Sequence, residues 1–172
     1  MPRTVILTNE SGDDLGTAGL LEAHTGEGKL HLAFSVFVFD PTRNLTLIQR
    51  RSRVKMLWPL IWANTCCSHP NKNEDPVSAG RRRLQEEMGF VCPLVIGPTF
   101  IYRALDPNGN GVEHERDTIL IGTAEKSTKI EPNPAEVAEY KWMKISDLLT
   151  DFEAKPDIYA PWLKIGLKKI HI

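Results

Sequence analysis

The hydrophobic and polar positions of the first third of the chain alternate with a period of two, which predicts β-strands. Within residues 30–39, one face would carry Leu32, Phe34, Val36 and Val38, and the other His31, Ala33, Ser35 and Phe37. The Pro-Thr-Arg-Asn sequence at 41–44 predicts a turn, and residues 45–49 return as a second strand. Residues 60–67 are apolar and predict a third strand, which ends at Cys67.

The clearest helix is predicted at residues 76–88. Asp75 is a favourable N-cap, Pro76 suits the first helical position, and Gly89 suits a left-handed C-cap. Further strands are predicted at 95–105, 112–123 and 137–143, and further helices at 146–151, with Ser146 as the cap, and at 158–170. This order predicts an α/β or α+β sandwich.

Composition indicates an ordinary globular protein. The 172 residues are 41% hydrophobic and 25% charged, which suits a single domain over residues 1–172. The net charge of −1 gives no reason to expect nucleic acid or an anionic membrane as a partner. No apolar run approaches the roughly 20 residues that membrane insertion requires, and residues 1–10 lack the features of a signal peptide.

The cysteines indicate a reducing compartment. The chain has three, of which Cys66 and Cys67 are adjacent, so they do not form a disulfide framework. We therefore expect a cytoplasmic protein.

Two carboxylates stand two residues apart in the strand at 112–123. Glu113 and Glu115, with Asp117, would project from one face of that strand. Like charges so close together are unfavourable unless a cation or a proton holds them. A solvated strand edge is the alternative explanation.

Three of the five histidines, His24, His31 and His69, occur in short polar islands near predicted strands. Each taken alone could be a hydrogen-bonded core histidine. Together with Glu113 and Glu115 they form a five-ligand set with one position left for water or substrate. Mixed nitrogen and oxygen ligands in that number suit Mg²⁺ or Mn²⁺, and Zn²⁺ is also compatible.

Cys67 is the candidate reactive group. A thiol beside a metal and a carboxylate can serve as acid, base or nucleophile. The alternative is a small buried hydrophobe, and strand alternation assigns that role to Cys66.

The residues of the helix predicted at 76–88 suggest the hypothesis of a phosphate-binding site. Arg82 and Glu86, like Arg83 and Glu87, are four residues apart and share a helix face. Two surface ion pairs are the simpler explanation. The longer phrase from Glu74 to Phe90 favours a carboxylate that binds Mg²⁺ against a diphosphate. Arg51 and Lys55 would then contact the same phosphates.

The phrase at 74–90 resembles the Nudix box. The chain also carries LHLAFS at 30–35, W-x-N-x-CCSHP at 62–70, YRA at 102–104 and E-x-E at 113–115. In this order and spacing, from about residue 5 to residue 162, the chain resembles type I isopentenyl-diphosphate isomerases. The resemblance implies a Nudix-type α/β/α sandwich, and an enzyme that interconverts isopentenyl and dimethylallyl diphosphate by protonation and deprotonation in isoprenoid biosynthesis.

The resemblance also assigns roles. Cys67 and Glu115 would exchange protons at the two ends of the allyl unit, Tyr102 would hydrogen-bond near Glu115, and the indole of Trp162 would face the cationic intermediate. The implied ligands of the first metal (Mn²⁺, Mg²⁺ or Zn²⁺) are His24, His31, His69, Glu113 and Glu115.

Glu87 would hold a second, substrate-borne Mg²⁺ together with the backbone carbonyl of Cys67. The implied diphosphate contacts are Arg51, Lys55, Ser68 and Arg83. The expected partner is the small-molecule substrate alone, with the protein a monomer or weak homodimer.

Two positions depart from the family pattern. Leu20 stands where the family often has a lysine that reaches the diphosphate, and Ser68 replaces a common glycine. Leu20 bears on substrate affinity more than on the type of reaction. One alternative is a Nudix hydrolase of a nucleoside diphosphate derivative, in which a glutamate usually occupies the position of Arg83. The other is a catalytically silent metal- or diphosphate-binding module, against which the presence of Cys67 and Glu115 argues.

Overall fold

A computed structural model describes residues 4–172 and contains a mixed β-sheet with helices on both faces. The strands of this part of the chain are Thr4–Thr8 (β1), Asp14–Gly19 (β2), His31–Phe39 (β3), Leu45–Arg51 (β4), Trp62–Ala63 (β5), Cys66–Ser68 (β6), Leu94–Leu105 (β7), Val112–Thr123 (β8) and Val137–Lys144 (β9). Its α-helices are Leu20–Ala23 (α1), Pro76–Met88 (α2), Ile145–Ala154 (α3) and Pro161–Lys169 (α4), with a 3₁₀ turn at Pro156–Ile158.

Strand β3 lies at the centre of the sheet. Along one edge it pairs in parallel with β8, from His31 opposite Glu115 to Phe39 opposite Thr123. Along its other edge it pairs with three strands in turn, β1, β6 and β4. Because both edges and both faces are covered, β3 is almost wholly buried.

The alternation predicted for residues 30–39 divides the core into two layers. Phe34 and Val36 pack with the apolar face of α2, whereas Phe37 packs with α3 and α4. Gly166 allows α4 to approach closely, since a Cβ there would lie 2.3 Å from Cζ of Phe37. The α/β/α sandwich is thereby confirmed.

Helix α2 begins and ends where the sequence predicts. The carboxylate of Asp75 accepts hydrogen bonds from the backbone N–H groups of Val77 and Ser78, each at 3.0 Å. Gly89 closes the helix in the left-handed conformation, with φ of 74°.

The prediction of a single strand at 60–67 was wrong, because the chain forms two short strands there, β5 and β6. Between them, the Asn64 amide donates to the backbone oxygens of Val36 and Cys66, at 3.0 and 2.8 Å. The hydroxyl of Thr65 donates to the backbone oxygen of Leu47 at 2.6 Å. These side chains replace ladder hydrogen bonds and move the chain from a pairing with β4 to a pairing with β3.

Three other expectations about elements need correction. The sequence did not predict β1, β2 or the short α1, whose C-cap is His24, at the start of the loop before β3. Helix α3 begins at Ile145 after Lys144, so Ser146 is not its cap. The helix predicted at 158–170 begins only at Pro161, which suits a first helical position. No helix within residues 4–172 has the length and apolar character needed to span a membrane.

Candidate active site and metal centre

Four side chains from distant parts of the chain converge at one end of β3. They are His24 at the end of α1, His31 at the start of β3, His69 just after β6 and Glu115 on β8. One nitrogen or oxygen atom from each lies within 4.8 Å of those of the other three. The parallel register produces much of this arrangement, because His31 pairs directly with Glu115.

Backbone carbonyls orient two of the imidazoles. Nδ1 of His24 lies 2.7 Å from the oxygen of Leu20, and Nδ1 of His31 lies 2.7 Å from the oxygen of Lys29. A carbonyl only accepts hydrogen bonds, so each Nδ1 carries a proton, and each imidazole in its neutral form presents the lone pair of Nε2 to the cluster. Carbonyl-oriented imidazoles of this kind are typical of metal ligands.

The donor atoms fit a bound cation. Nε2 of His31 lies 3.1 Å from Nε2 of His69, which lies 3.0 Å from Oε1 of Glu115. Burial lowers the pKa of His69 to about 4. Burial would raise the pKa of Glu115, but the adjacent imidazoles of His31 and His69 hold it well below its usual value. Lone pairs and a carboxylate this close together favour a divalent cation between them.

Glu113 lies beside this group rather than within it. Its Oε2 is 2.8 Å from Nε2 of His24, and this buried oxygen has no well-directed hydrogen bond from any described residue. Burial and the neighbouring Glu115 raise the pKa of Glu113. The structure therefore brings four of the five predicted ligands together and places the fifth next to His24.

Asp117 shares the face of Glu113 and Glu115, as predicted, but it lies deeper. It is 1% exposed and accepts a 2.7 Å hydrogen bond from the Ser35 hydroxyl. Burial and Glu115 raise its pKa well above the usual value. These buried carboxylates exclude the solvated strand edge considered from the sequence.

Tyr102 and Cys67 lie on strands at either side of this centre. The Tyr102 hydroxyl donates to Oε2 of Glu115 at 2.6 Å, and the two residues are register partners between β7 and β8. Cys67, on β6, is the register partner of Ser35 on β3, and its half-buried side chain lines the same cavity. Burial raises the pKa of its thiol to about 12, although Arg51 acts in the opposite direction. Cys66 points into the layer under α2, as alternation predicts.

An aromatic wall completes the apolar end of the cavity. Trp162 is 2% exposed, and its ring lies edge-on to Trp58 at 5.1 Å and tilted toward Tyr102 at 6.0 Å. The guanidinium of Arg51 lies 5.6 Å from the centroid of Trp162 and donates to the backbone oxygens of Leu57 and Trp58. An indole in this position already lies close to a positive charge.

Another part of the cavity lining is polar. Ser68, Lys55 and Arg83 belong to it, and Leu20 also lines the cavity. Arg83 forms the predicted helical ion pair with the buried carboxylate of Glu87. Residues of the candidate metal centre, the thiol of Cys67 and these cations all line one cavity, which has a volume of about 350 Å³.

The sequence reasoning did not identify several pocket residues. Arg82 lines the pocket and is held by Glu74 through two hydrogen bonds of 2.8 Å, which the Nudix-like phrase could have indicated. Trp58 supports the pocket from behind Trp162, and its position near basic residues in the sequence is a usable signal. Glu136 pairs with both Lys55 and Arg83. Glu136 lies in a turn just before β9 and belongs to no sequence motif, so no local pattern could have identified it.

Comparison with known proteins places the fold and the family. Residues 29–163 match the NUDIX domain. Among solved structures, DR0079 from Deinococcus radiodurans superposes with a TM-score of 0.76 at 16% identity, covering 97% of this chain and 99% of that one. A MutT NUDIX hydrolase from Burkholderia pseudomallei gives 0.61 at 17% identity, covering 82% and 98%. At these identities the likeness concerns the fold alone.

Similarity in sequence is much closer to one group. The isopentenyl-diphosphate Delta-isomerase of Nocardia farcinica is 44% identical over 92% of this chain and 89% of its own length. The isopentenyl-diphosphate Delta-isomerase 2 of Photorhabdus laumondii is 41% identical over 95% of this chain and 90% of its own length. The chain belongs to the isopentenyl-diphosphate Delta-isomerase family of Nudix-domain proteins.

Proposed function

We propose that this protein is an isopentenyl-diphosphate Delta-isomerase, which moves the double bond of isopentenyl diphosphate to form dimethylallyl diphosphate. The observation that carries the proposal is that Cys67, the Tyr102–Glu115 pair and the cations Lys55 and Arg83 all line a single pocket. The reaction supplies a precursor for isoprenoid biosynthesis, as the family name implies.

The reaction needs two proton-transfer groups. An unactivated alkene gains a proton at one carbon and loses a proton two carbons away, so one side chain must act at each end of the allyl unit. Cys67 on β6 and Glu115 on β8 lie on the two strands that flank β3 and line the same cavity. Tyr102, which donates to Glu115, would position that carboxylate and help to relay its proton.

Between these groups the substrate passes through a cationic state. The face of Trp162 would stabilise this cation through its π electrons. The rings of Tyr102 and Trp162, with Trp58 packed behind Trp162, would exclude water, which could otherwise add to the cation.

The metal site would organise this end of the pocket. His24, His31, His69, Glu113 and Glu115 would hold Mn²⁺, Mg²⁺ or Zn²⁺. The ion would supply positive charge that keeps the adjacent carboxylates ionised and the base correctly oriented.

Arg51, Lys55, Ser68 and Arg83 would contact the diphosphate, and Glu87, with the carbonyl of Cys67, would hold the Mg²⁺ that accompanies it. Leu20 removes the lysine contact that is common in the family, so these cations carry more of the binding. We also propose a single-domain cytoplasmic protein, monomeric or weakly dimeric. Its cysteines Cys66, Cys67 and Cys92 are free thiols, which suits a reducing compartment.

The test is proton NMR of isopentenyl diphosphate incubated with the purified protein and Mg²⁺ in D₂O. We expect conversion to dimethylallyl diphosphate with incorporation of deuterium, and loss of activity on chelation. Cys67→Ala and Glu115→Gln should each reduce turnover by at least about 100-fold, the usual contribution of acid–base groups. Cys66→Ala, at the neighbouring buried thiol, is the matched control and should remain active.

Other outcomes would contradict the proposal. Release of phosphate or a monophosphate would indicate the Nudix hydrolase alternative. No reaction by protein with metal bound would indicate the silent binding module. Substantial turnover by either variant would contradict the roles given to Cys67 and Glu115.

A further inference from the structure

The cations in the polar part of the pocket lining belong to an ion-pair network that includes Glu136. One carboxylate oxygen of Glu136 pairs with Nζ of Lys55, and the other lies 3.2 Å from a guanidinium nitrogen of Arg83. Arg83 also pairs with Glu86 at 2.6 Å and with Glu87. Glu136 thus contacts two of the three cations, Lys55 and Arg83, to which the proposed function assigns the diphosphate.

This network has more negative than positive charge. We define it as Lys55, Arg82 and Arg83 with the carboxylates that pair with them, Glu74, Glu86, Glu87 and Glu136. Four carboxylates therefore face three cations. At Lys55 and Arg83, a free diphosphate, with at least about two negative charges at neutral pH, would meet cations that carboxylates already neutralise.

Burial strengthens the electrostatic interactions of Glu136 with its neighbours. The side chains of Arg83, Glu136 and Lys55 are only 6%, 13% and 16% exposed, so solvent screens their interactions weakly. The two cations lower the pKa of Glu136 to about 2, overcoming the effect of burial, so the group is ionised at neutral pH.

The backbone keeps this carboxylate in place. The backbone oxygen of Glu136 accepts a 3.0 Å hydrogen bond from the N–H of Ser52, and its own N–H donates to the oxygen of Asn133 at 2.9 Å. Asn133 in turn donates to the backbone oxygen of Glu87 at 2.9 Å. The backbone of the loop is thereby held to the residue after β4 on one side and to α2 on the other, so movement of the whole loop away from the pocket would break these hydrogen bonds.

We propose that Glu136 is a specificity-determining residue that makes the pocket accept diphosphate complexed with a divalent cation and reject the free anion. The inference rests on the proposed function, because it concerns the same diphosphate site. Free diphosphate must separate Glu136 from Lys55 and Arg83 or lie beside it. A bound Mg²⁺ adds positive charge between diphosphate and the carboxylates, so Glu136 then opposes binding much less.

The test measures binding of inorganic pyrophosphate by titration calorimetry, with and without Mg²⁺, to protein loaded with one equivalent of Zn²⁺. We expect Glu136→Gln to bind metal-free pyrophosphate about tenfold more tightly than the wild type does. The affinity of this variant for pyrophosphate in the presence of Mg²⁺ should change by less than about threefold. The factor by which Mg²⁺ tightens pyrophosphate binding, here called the enhancement by Mg²⁺, should therefore fall.

Two matched variants separate charge from other effects. Glu139→Gln removes the same charge from an exposed pair with Arg50 and should keep the wild-type enhancement by Mg²⁺. Glu136→Asp keeps the charge, shortens the side chain and should retain most of the enhancement.

The outcomes distinguish this inference from the proposed function. Unchanged or weaker metal-free binding by folded Glu136→Gln, with normal binding in Mg²⁺, would overturn the role of Glu136 alone. Failure of the wild type to bind pyrophosphate with or without Mg²⁺ would overturn the diphosphate site itself, and this inference with it.

Discussion

At the scale of single residues, the site depends on hydrogen bonds that fix which atom of each side chain faces the pocket. The Nδ1 atoms of His24 and His31 are engaged by backbone oxygens, and Oε2 of Glu115 accepts the Tyr102 hydroxyl. One oxygen of Glu115 thus faces the histidines and the other faces Tyr102. A single carboxylate can therefore serve both the metal centre and proton transfer.

Replacing Tyr102 by phenylalanine tests this division. Tyr102→Phe keeps the ring against Trp162 but removes the hydrogen bond to a buried carboxylate oxygen, which typically costs about 1–3 kcal/mol. We expect kcat to fall about tenfold to a hundredfold with little change in KM. Steady-state kinetics would measure both constants.

Tyr140 on β9, which is 40% exposed and does not line the pocket, offers the matched control. Tyr140→Phe should leave both constants unchanged. A change confined to KM in Tyr102→Phe would place Tyr102 in substrate binding rather than in proton transfer.

At the scale of elements, the strongest local patterns were predicted correctly. The two-faced alternation of β3 and both ends of α2 follow from the sequence, because each depends on neighbouring residues. The break between β5 and β6 does not, because Asn64 and Thr65 satisfy backbone groups of distant strands. Strand β2 was missed because most of its side chains are exposed and it lacks an apolar pattern.

The N-cap of α2 provides a test at this scale. Asp75→Ala removes the side chain that accepts from Val77 and Ser78, and we expect a loss of about 1 kcal/mol in the free energy of unfolding. Denaturant titration would measure it. Asp75→Asn, which can still accept these bonds, should lose much less, and equal losses in the two variants would exclude capping as the cause.

At the scale of the whole molecule, the candidate metal centre joins segments that are remote in sequence. His24 ends α1, His69 follows β6, and both meet the β3–β8 pair. The ligand types could be recognised from the sequence, but their convergence depends on sheet register. The pairing of Glu136 with Arg83 likewise spans 53 residues and has no local signature.

Metal binding should therefore stabilise the entire fold. An ion bound only by the folded state adds about 2.7 kcal/mol at a free concentration of 100 times Kd, which for a protein of this size raises Tm by several degrees. Thermal denaturation with and without added Mn²⁺ or Zn²⁺ would measure this increase, which chelation should reverse.

Two histidine variants make the measurement specific. His24→Asn should lose most of the increase in Tm, because it removes one of the converging ligands. His114→Asn alters a residue whose Nδ1 lies near the backbone oxygen of Gly28, outside the cluster, and should keep the increase. Equal loss in both variants would indicate binding elsewhere.

The parallel pairing of β3 with β8 also has a consequence for biosynthesis of the protein. The Ser35–Asp117 hydrogen bond joins residues 82 positions apart, and the His69–Glu115 contact joins residues 46 positions apart. During translation, β3 and its histidine emerge long before their partner strand exists, and such long-range pairing forms slowly. The complete set of candidate ligands therefore comes together only after most of the chain has been synthesised, so an ion that needs all of them would bind as a late step of maturation.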